Sequence, residues 1–364
     1  MKNIAVFFGG VSVEHEISVI TGVLTSNSLD KEKFRALPVY VDEKGEWYTG
    51  EYLLDPDNYK NFDAKRVKKV TLTAGSNNLY LVKNRRIKPI CEISAAINCM
   101  HGERGEDGSL AGVLNMCGIP LVSPPMLPSA VSMDKSFTKI FLKGMNVRAL
   151  PGITVRSAGE MPSKRAGFGF PVIVKPVCGG SSIGVRSCND KRALAEAVAY
   201  ALRFGDRAII EPCLTGFTEI NCAAYRGRKG IAVSECERPV GKTEILSFKD
   251  KYECGKREFP ADIPPEISER IKKITAEVYE RAGFSGIVRI DYFVSDGKIY
   301  LNEINSVPGS LAYYLFTETL SGFTEILTEL ITVCIEKFAA ENTVQKSFRS
   351  GILRSVGGKS SKRL

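Results

Sequence analysis

Apolar positions in the first hundred residues fall into strand-length runs separated by glycine turns and one helix-length stretch. Asn3–Phe8 is a nearly continuous apolar run and predicts a strand buried on both faces. A Gly9-Gly10-Val11-Ser12 turn follows, then a helix over Glu14–Ser28, then a second strand over Ala36–Val41. Residues 45–90 are more polar, and their alternation predicts small strands at Trp47–Thr49, Val70–Leu72 and Leu79–Val82. Ile93–Asn98 reads as a further strand, ending in the loop His101-Gly-Glu-Arg-Gly-Glu-Asp-Gly108 and a helix to Cys117. Strand, glycine-rich loop, helix is the order expected of a parallel α/β sheet with a site at its strand C-termini.

Pro120–Pro128 interrupts this order and marks a domain boundary. Beyond it the pattern predicts a helix with Ser132-Met-Asp-Lys135 near its start, a strand at Pro171–Lys175, a loop over Pro176–Gly184 and a helix over Asp190–Phe204. Strands at Ala208–Glu211, Glu219–Tyr225 and Gly230–Glu235 come next, in the alternation of antiparallel sheets with helices outside them. A closing amphipathic helix covers Glu318–Ala340.

The most informative segment is the hairpin from Val288 to Asn305, with Ser295-Asp296-Gly297 at its tip. Its otherwise apolar strands carry Arg289, Asp291, Glu303 and Asn305. If the loop has three residues with Gly297 left-handed, residues 294 and 298 pair and odd-numbered residues share one face. Carboxylate and amide oxygens then converge beside a guanidinium, a set suited to Mg²⁺ bridging phosphates. A solvent-facing hairpin with incidental charges is the competing account. Upstream chemistry weighs against it. In Lys175-Pro-Val-Cys-Gly-Gly-Ser-Ser-Ile-Gly184, glycines let backbone N–H groups converge on an anion, and Ser181 and Ser182 add hydroxyl donors. The loop is not Gly-x-x-x-x-Gly-Lys-Ser/Thr. Lys175 and Lys135 are two cations placed to meet a triphosphate. Glu211 and Glu219 are candidate acceptors for the adenine side and the ribose hydroxyls of a nucleotide.

Composition narrows the class. With 44% apolar and 25% charged residues the chain has the make-up of a globular protein of two or three domains. No run of about 18 apolar residues is present, and the N-terminal apolar run is too short for a signal peptide, so no membrane partner is expected. Ten cysteines without a Cys-x-x-Cys, and only two histidines, argue against structural zinc and for a reducing, cytoplasmic setting. The net charge of +9 does not imply nucleic acid, because six of those charges lie in the acid-free tail after Asn342, expected to be disordered. A nicotinamide-cofactor reading of the first turn fails, since Gly9-Gly10-Val-Ser lacks Gly-x-Gly-x-x-Gly.

These stretches in this order resemble the D-alanine–D-alanine ligases of the ATP-grasp superfamily. The resemblance is carried by Phe8-Gly-Gly-Val-Ser-Val-Glu-His-Glu-Ile-Ser18, His101–Gly108, Ser132–Lys135, Lys175-Pro…Gly184, Lys249-Asp-Lys-Tyr252 and Arg289-Ile-Asp…Glu303-Ile-Asn…Pro308-Gly309, and covers roughly residues 1–335. It implies an α/β and α+β chain. A parallel α/β pre-ATP-grasp domain (1–125) precedes a two-part ATP-grasp module of antiparallel sheets with helices (126–215 and 216–340), and a basic tail follows (341–364). It also implies ATP between two sheets on Lys135, Lys175, Glu211 and Glu219 under the Ser181–Ser182 loop, and two Mg²⁺ ions, replaceable by Mn²⁺, on Asp291, Glu303 and Asn305. Arg289 and the Gly309 N–H would stabilise an oxyanion. Glu14 would hold the first ammonium with His101 near its carboxylate. Glu14, Ser181 and Tyr252 would close a loop over the site, and Lys251 would approach the phosphate and the second carboxylate. Small D-amino acids and ATP are the implied partners, with the chain a homodimer.

Two departures from the family pattern stand out. Ser310-Leu-Ala-Tyr-Tyr-Leu315 puts Tyr314 where the family has a serine for the second substrate's carboxylate, so a differently shaped pocket is expected. Val177-Cys178 replaces polar residues under the lid. Lys251-Tyr252 is the pairing of dipeptide formers rather than of ester formers. The expectation is D-alanyl-D-alanine synthesis. The alternatives are D-serine or another D-amino acid as second substrate, or a nucleotide-binding paralogue without activity.

Overall fold

The computed structural model describes residues 1–160, 169–240, 257–345, 347, 348 and 350. Lys251, Tyr252, most of the Lys249–Tyr252 motif's surroundings and the end of the basic tail lie outside the described residues.

The N-terminal sheet is mixed rather than parallel throughout. Strand Lys2–Gly9 is flanked on both sides by parallel partners, Phe34–Val41 and Ala95–Asn98. Being central explains its unbroken apolar run: Ile4 through Phe8 are all fully buried. Beyond Phe34–Val41 the sheet continues as an antiparallel meander, Trp47–Thr49, Lys68–Thr73, Ser76–Lys83 and Arg86–Glu92. The last of these is absent from the sequence reading because this edge strand is almost wholly exposed and shows no apolar alternation. The helix His15–Asn27 starts with Glu14 as its N-cap residue.

Ser132–Lys135 does not sit within the start of one helix. It joins two, Met126–Met133 and Lys135–Gly144, with Asp134 extended between them. The Asp134 carboxylate accepts from the Ser136 and Phe137 N–H groups at 2.9 and 3.0 Å, which caps the second helix and fixes Lys135 at its first turn.

Two antiparallel sheets follow. In one, Val172–Pro176 lies between Arg186–Cys188 and Ala208–Pro212, with Ile153–Val155 at the far edge. In the other, Thr218–Gly227 and Ile287–Ser295 are central, flanked by Gly230–Val233 and Lys298–Asn305. Helix Pro265–Ala282 covers this second sheet, burying Ile267, Ile271 and Val278. It is missing from the reading above, although Pro265 at its first turn and Gly283, left-handed at its end, are start and stop signals. The closing helix Leu320–Glu341 turns Phe323, Leu327 and Ile331 into the core that also holds Ile4, Val6 and Phe8. Among the described residues no helix is long and apolar enough to cross a membrane.

Candidate active site

The polar face of the hairpin forms, but by a different route from the one expected. The loop has two residues: Ser295 pairs with Lys298, and Asp296 and Gly297 both have positive φ (49° and 67°), as a type I′ turn requires. That register alone would pair Asp291 with Asn302 and turn Glu303 to the opposite face. A bulge at Asn302 shifts the ladder by one residue, so that Asp291 faces Glu303 and Arg289 faces Asn305. The bulge therefore decides which side chains meet.

On this face Arg289 grips Asp291 with two hydrogen bonds, Nε to Oδ1 at 2.7 Å and Nη2 to Oδ2 at 2.9 Å. Asn305 Nδ2 donates to the same Oδ2 at 3.0 Å. Burial disfavours the Arg289 cation, but Asp291 outweighs it and holds the guanidinium well above its ordinary range. The donors Asp291, Glu303 and Asn305 are two carboxylates and an amide. Among the described residues no three His, Cys, Asp or Glu side chains gather as a metal cluster. Glu303 lines the cleft between the antiparallel sheets and Asn305 the neighbouring one, while Asp291 is 1% exposed and lines neither; two carboxylates and an amide are hard oxygen donors of the kind that suits a divalent cation.

Glu303 and Asn302 border a cleft of about 820 Å³ between the two antiparallel sheets, together with Lys135, Lys175, Ser182 and Glu219. Lys175 ends strand Val172–Pro176, and its Nζ lies 2.8 Å from Glu211 Oε2. Lys139, which the sequence reading passed over, lies 2.9 Å from Glu211 Oε1. Both oxygens of Glu211 thus serve these lysines. Burial pushes its carboxyl up, but Lys175 and Lys139 overcome that and the net direction is down. Lys135 Nζ donates to the Gly179 carbonyl at 2.6 Å, tying the helix start to the glycine loop, and burial lowers its pKa. Ser181 and Ser182 both have positive φ (53° and 58°), which turns the loop back over the cleft.

A second cleft, about 1550 Å³, adjoins the first and shares Glu219 with it. Glu14, His101, Arg289, Gly309 and Tyr314 line it together. The Ser181 hydroxyl donates to Glu14 Oε1, bringing two expected partners together across 167 residues. Gly180 closes on the same carboxylate, since a Cβ there would stand 3.3 Å from Glu14 Oε1.

His101 is buried and burial lowers its pKa to about 4, so the ring is neutral near pH 7. Its Nε2 lies 3.0 Å from the Thr21 hydroxyl, and Thr21 Oγ1 accepts the Ser310 N–H at 3.0 Å. This chain pins the turn after Gly309, where Ser310, Leu311 and Ala312 are all left-handed (φ 51°, 50° and 46°). Glu106, quoted within its loop but given no role, accepts from Gly102 N at 2.9 Å and from Val307 N at 3.1 Å. Burial first, then the neighbouring Glu14, raises its pKa to about 8. Tyr314, Arg257 and Glu237 were equally invisible as a group, because their contacts join residues with no common period or motif.

The sequence profile described as D-ala D-ala ligase N-terminus matches residues 3–124, and that described as D-ala D-ala ligase C-terminus matches residues 139–335. The chain is 36% identical to a D-alanine--D-alanine ligase of Thermosipho melanesiensis, over 99% of this chain and all of that one. It is 31% identical to D-alanine--D-alanine ligase A of Escherichia coli K12, over 94% and 98%. Among solved structures it is similar to the D-alanine-D-alanine ligase of Helicobacter pylori (TM-score 0.76, 29% identity, 91% and 98% covered). It is also similar to the VanG D-Ala:D-Ser ligase of Enterococcus faecalis (TM-score 0.78, 27% identity, 92% and 99% covered). With both halves of the family pattern present in order and relatives matched end to end, this chain belongs to the D-alanine–D-alanine ligase family.

Proposed function

We propose that the chain is an ATP-dependent ligase that joins two D-alanines into D-alanyl-D-alanine for peptidoglycan precursors. The observation that carries this reading is the abutment of two clefts. One offers lysines and a glycine-serine loop suited to a triphosphate, the other an acid and backbone donors suited to amino acids, and Glu219 borders both.

Lys135 and Lys175 take the negative charge of the β- and γ-phosphates, with Ser181 and Ser182 over them. Glu14 holds the ammonium of the first D-alanine, leaving its carboxylate to attack the γ-phosphorus. The new O–P bond forms as the bond to ADP breaks, giving an acyl phosphate. The amine of the second D-alanine, its ammonium first losing a proton to solvent, attacks that carbonyl to form the C–N bond and a tetrahedral oxyanion, which collapses with loss of phosphate while the nitrogen gives up its second proton. Arg289 and the Gly309 N–H face the oxyanion of this step; one such donor is typically worth on the order of 10²–10³ in kcat. Thr21 and His101 hold the turn that presents Gly309. Divalent cations held by Asp291, Glu303 and Asn305 would supply charge neutralisation on the transferring phosphoryl group when bound. Lys251 and Tyr252 keep the roles the resemblance implies. We further propose three domains and a tail with bounds at 125, 215 and 340, a cytoplasmic location, which ten cysteines without a Cys-x-x-Cys favour, and a homodimer, which rests on the resemblance.

Phosphate release from ATP is the test, measured with each D-amino acid alone and in pairs. Turnover with D-alanine alone is expected. Silence with D-alanine alongside turnover of a mixed pair, such as D-alanine with D-serine, overturns the D-alanyl-D-alanine reading.

A further inference from the structure

The amino-acid cleft holds a cluster that none of the family motifs includes. Tyr314 is flanked by two guanidinium groups. Its phenol interacts with Arg289, and both side chains line the cleft. Arg257 lies over its ring, 4.8 Å from the centroid, and donates from Nη1 to the Tyr314 carbonyl at 3.3 Å. The same Nη1 is 3.4 Å from Oε1 of Glu237, a carboxylate only 4% exposed. Asn221 Nδ2 in turn donates to Glu237 Oε2 at 3.2 Å. Arg257 is therefore aimed by an aromatic face, a backbone carbonyl and a buried acid.

Charge decides what it is aimed at. Two amino acids bring two carboxylates, one of which reacts while the other needs a cation. Among the described residues Arg257 and Arg289 are the cations that line the cleft, since His101 is neutral. Arg289 spends Nε and Nη2 on Asp291. Arg257 bonds only through Nη1, and its side chain is 35% exposed, so Nε and Nη2 remain open among the described residues. That is the fork that binds a carboxylate side-on.

We infer that Arg257 docks the non-reacting carboxylate of the second amino acid, beside the Lys251 that the ligase reading brings toward the same group, and that Tyr314 supports the Arg257 guanidinium instead of binding that carboxylate itself. This rests on the ligase reading above and names the residue that selects the acceptor. An acceptor lacking the carboxylate leaves the guanidinium without its partner.

The test uses the full chain and its R257A and R257K variants, with D-alanine or D-alaninamide as acceptor. The donor and acceptor constants come from the two phases of the D-alanine saturation curve. In R257A the acceptor KM is expected to rise on the order of 10- to 100-fold, the scale of one lost charge-assisted pair, while the donor KM stays within about twofold. The unaltered chain prefers D-alanine to D-alaninamide, R257A loses that preference, and R257K recovers part of it by keeping the charge without the fork. An acceptor KM that does not move, or a preference that survives in both variants, overturns the inference and leaves the ligase reading standing. No peptide product from the unaltered chain overturns both. The unchanged donor constant reports that the fold is intact.

Discussion

Replacing Glu211 by Gln tests the account of the nucleotide cleft most directly. Glu211 is 3% exposed and its oxygens lie 2.9 Å from Lys139 and 2.8 Å from Lys175. At an effective dielectric constant of about 20, each contact is worth roughly 6 kcal/mol of attraction before desolvation is counted. Taking the ions out of water cancels much of that, and removing one partner of such a buried set costs on the order of 3–5 kcal/mol. Gln keeps the shape but leaves two part-buried ammonium groups with neutral acceptors only, the Leu150 carbonyl for Lys139 and Asn302 Oδ1 for Lys175. The loss should be local to the sheet of Val172–Pro176 and Ala208–Pro212, so amide hydrogen exchange of these strands is the assay. Protection is expected to fall by roughly two to three and a half decades, at about 1.4 kcal/mol per decade. Exchange in the N-terminal strand Lys2–Gly9 should not change. Lys139→Gln in the same chain should restore part of the protection by removing one of these charges. The carboxyl is depressed in the folded state, so its contribution is complete above its unfolded pKa. It disappears as pH falls through the folded value, and the mutant and parent should converge in acid. A change under tenfold at pH 7, or no recovery in the double variant, would refute the argument.

The hairpin and the buried titratable groups give two more expectations. Glu303→Ala should abolish steady-state turnover by removing an oxygen donor, whereas deletion of Asn302 should leave a measurable rate, because it removes the bulge but keeps Asp291 opposite Glu303; the reverse order in a phosphate-release assay would refute the register. Stability of the ligand-free protein should vary with pH through two opposed groups. Glu106, raised to about 8, is protonated in the fold and destabilises as pH rises from its unfolded value toward 8. His101, lowered to about 4, makes the fold gain stability as pH rises from 4 toward its unfolded value. The two slopes oppose each other below about pH 6.5. Above it His101 drops out and Glu106 contributes a slope of at most about 1.4 kcal/mol per pH unit. Urea unfolding at several pH values checks this, and between about pH 6.5 and 8 the loss of stability with rising pH should be smaller in Glu106→Gln than in the parent.

Much of the site was legible because its chemistry is local. Lys175 follows a strand of Val and Ile, the glycine-serine loop follows Lys175, and the hairpin's polar residues interrupt apolar strands. Each can be seen within one short, continuous stretch of chain, Lys175–Gly184 for the loop and Arg289–Asn305 for the hairpin. The helix Pro265–Ala282 was also written there, in Pro265, Gly283 and the spacing of Ile267, Ile271, Ile274 and Val278, and went unread. The edge strand Arg86–Glu92 carries no such signal, because exposure removes the apolar alternation.

By itself, then, the amino-acid sequence determined the local elements, the glycine-serine loop, the polar residues within the hairpin's apolar strands and the family. Short-range sterics and hydrophobic periodicity act between neighbours and leave their mark in the chain. Tertiary structure decided the rest. Parity on a two-residue turn would have separated Asp291 from Glu303, and only the pairing across the sheet, with its bulge at Asn302, brought them together. Lys139 meets Glu211 across 72 positions, and Arg257 meets Glu237 and Tyr314 from three separate segments. Such contacts depend on how sheets and loops pack, and no period or spacing in the chain encodes them.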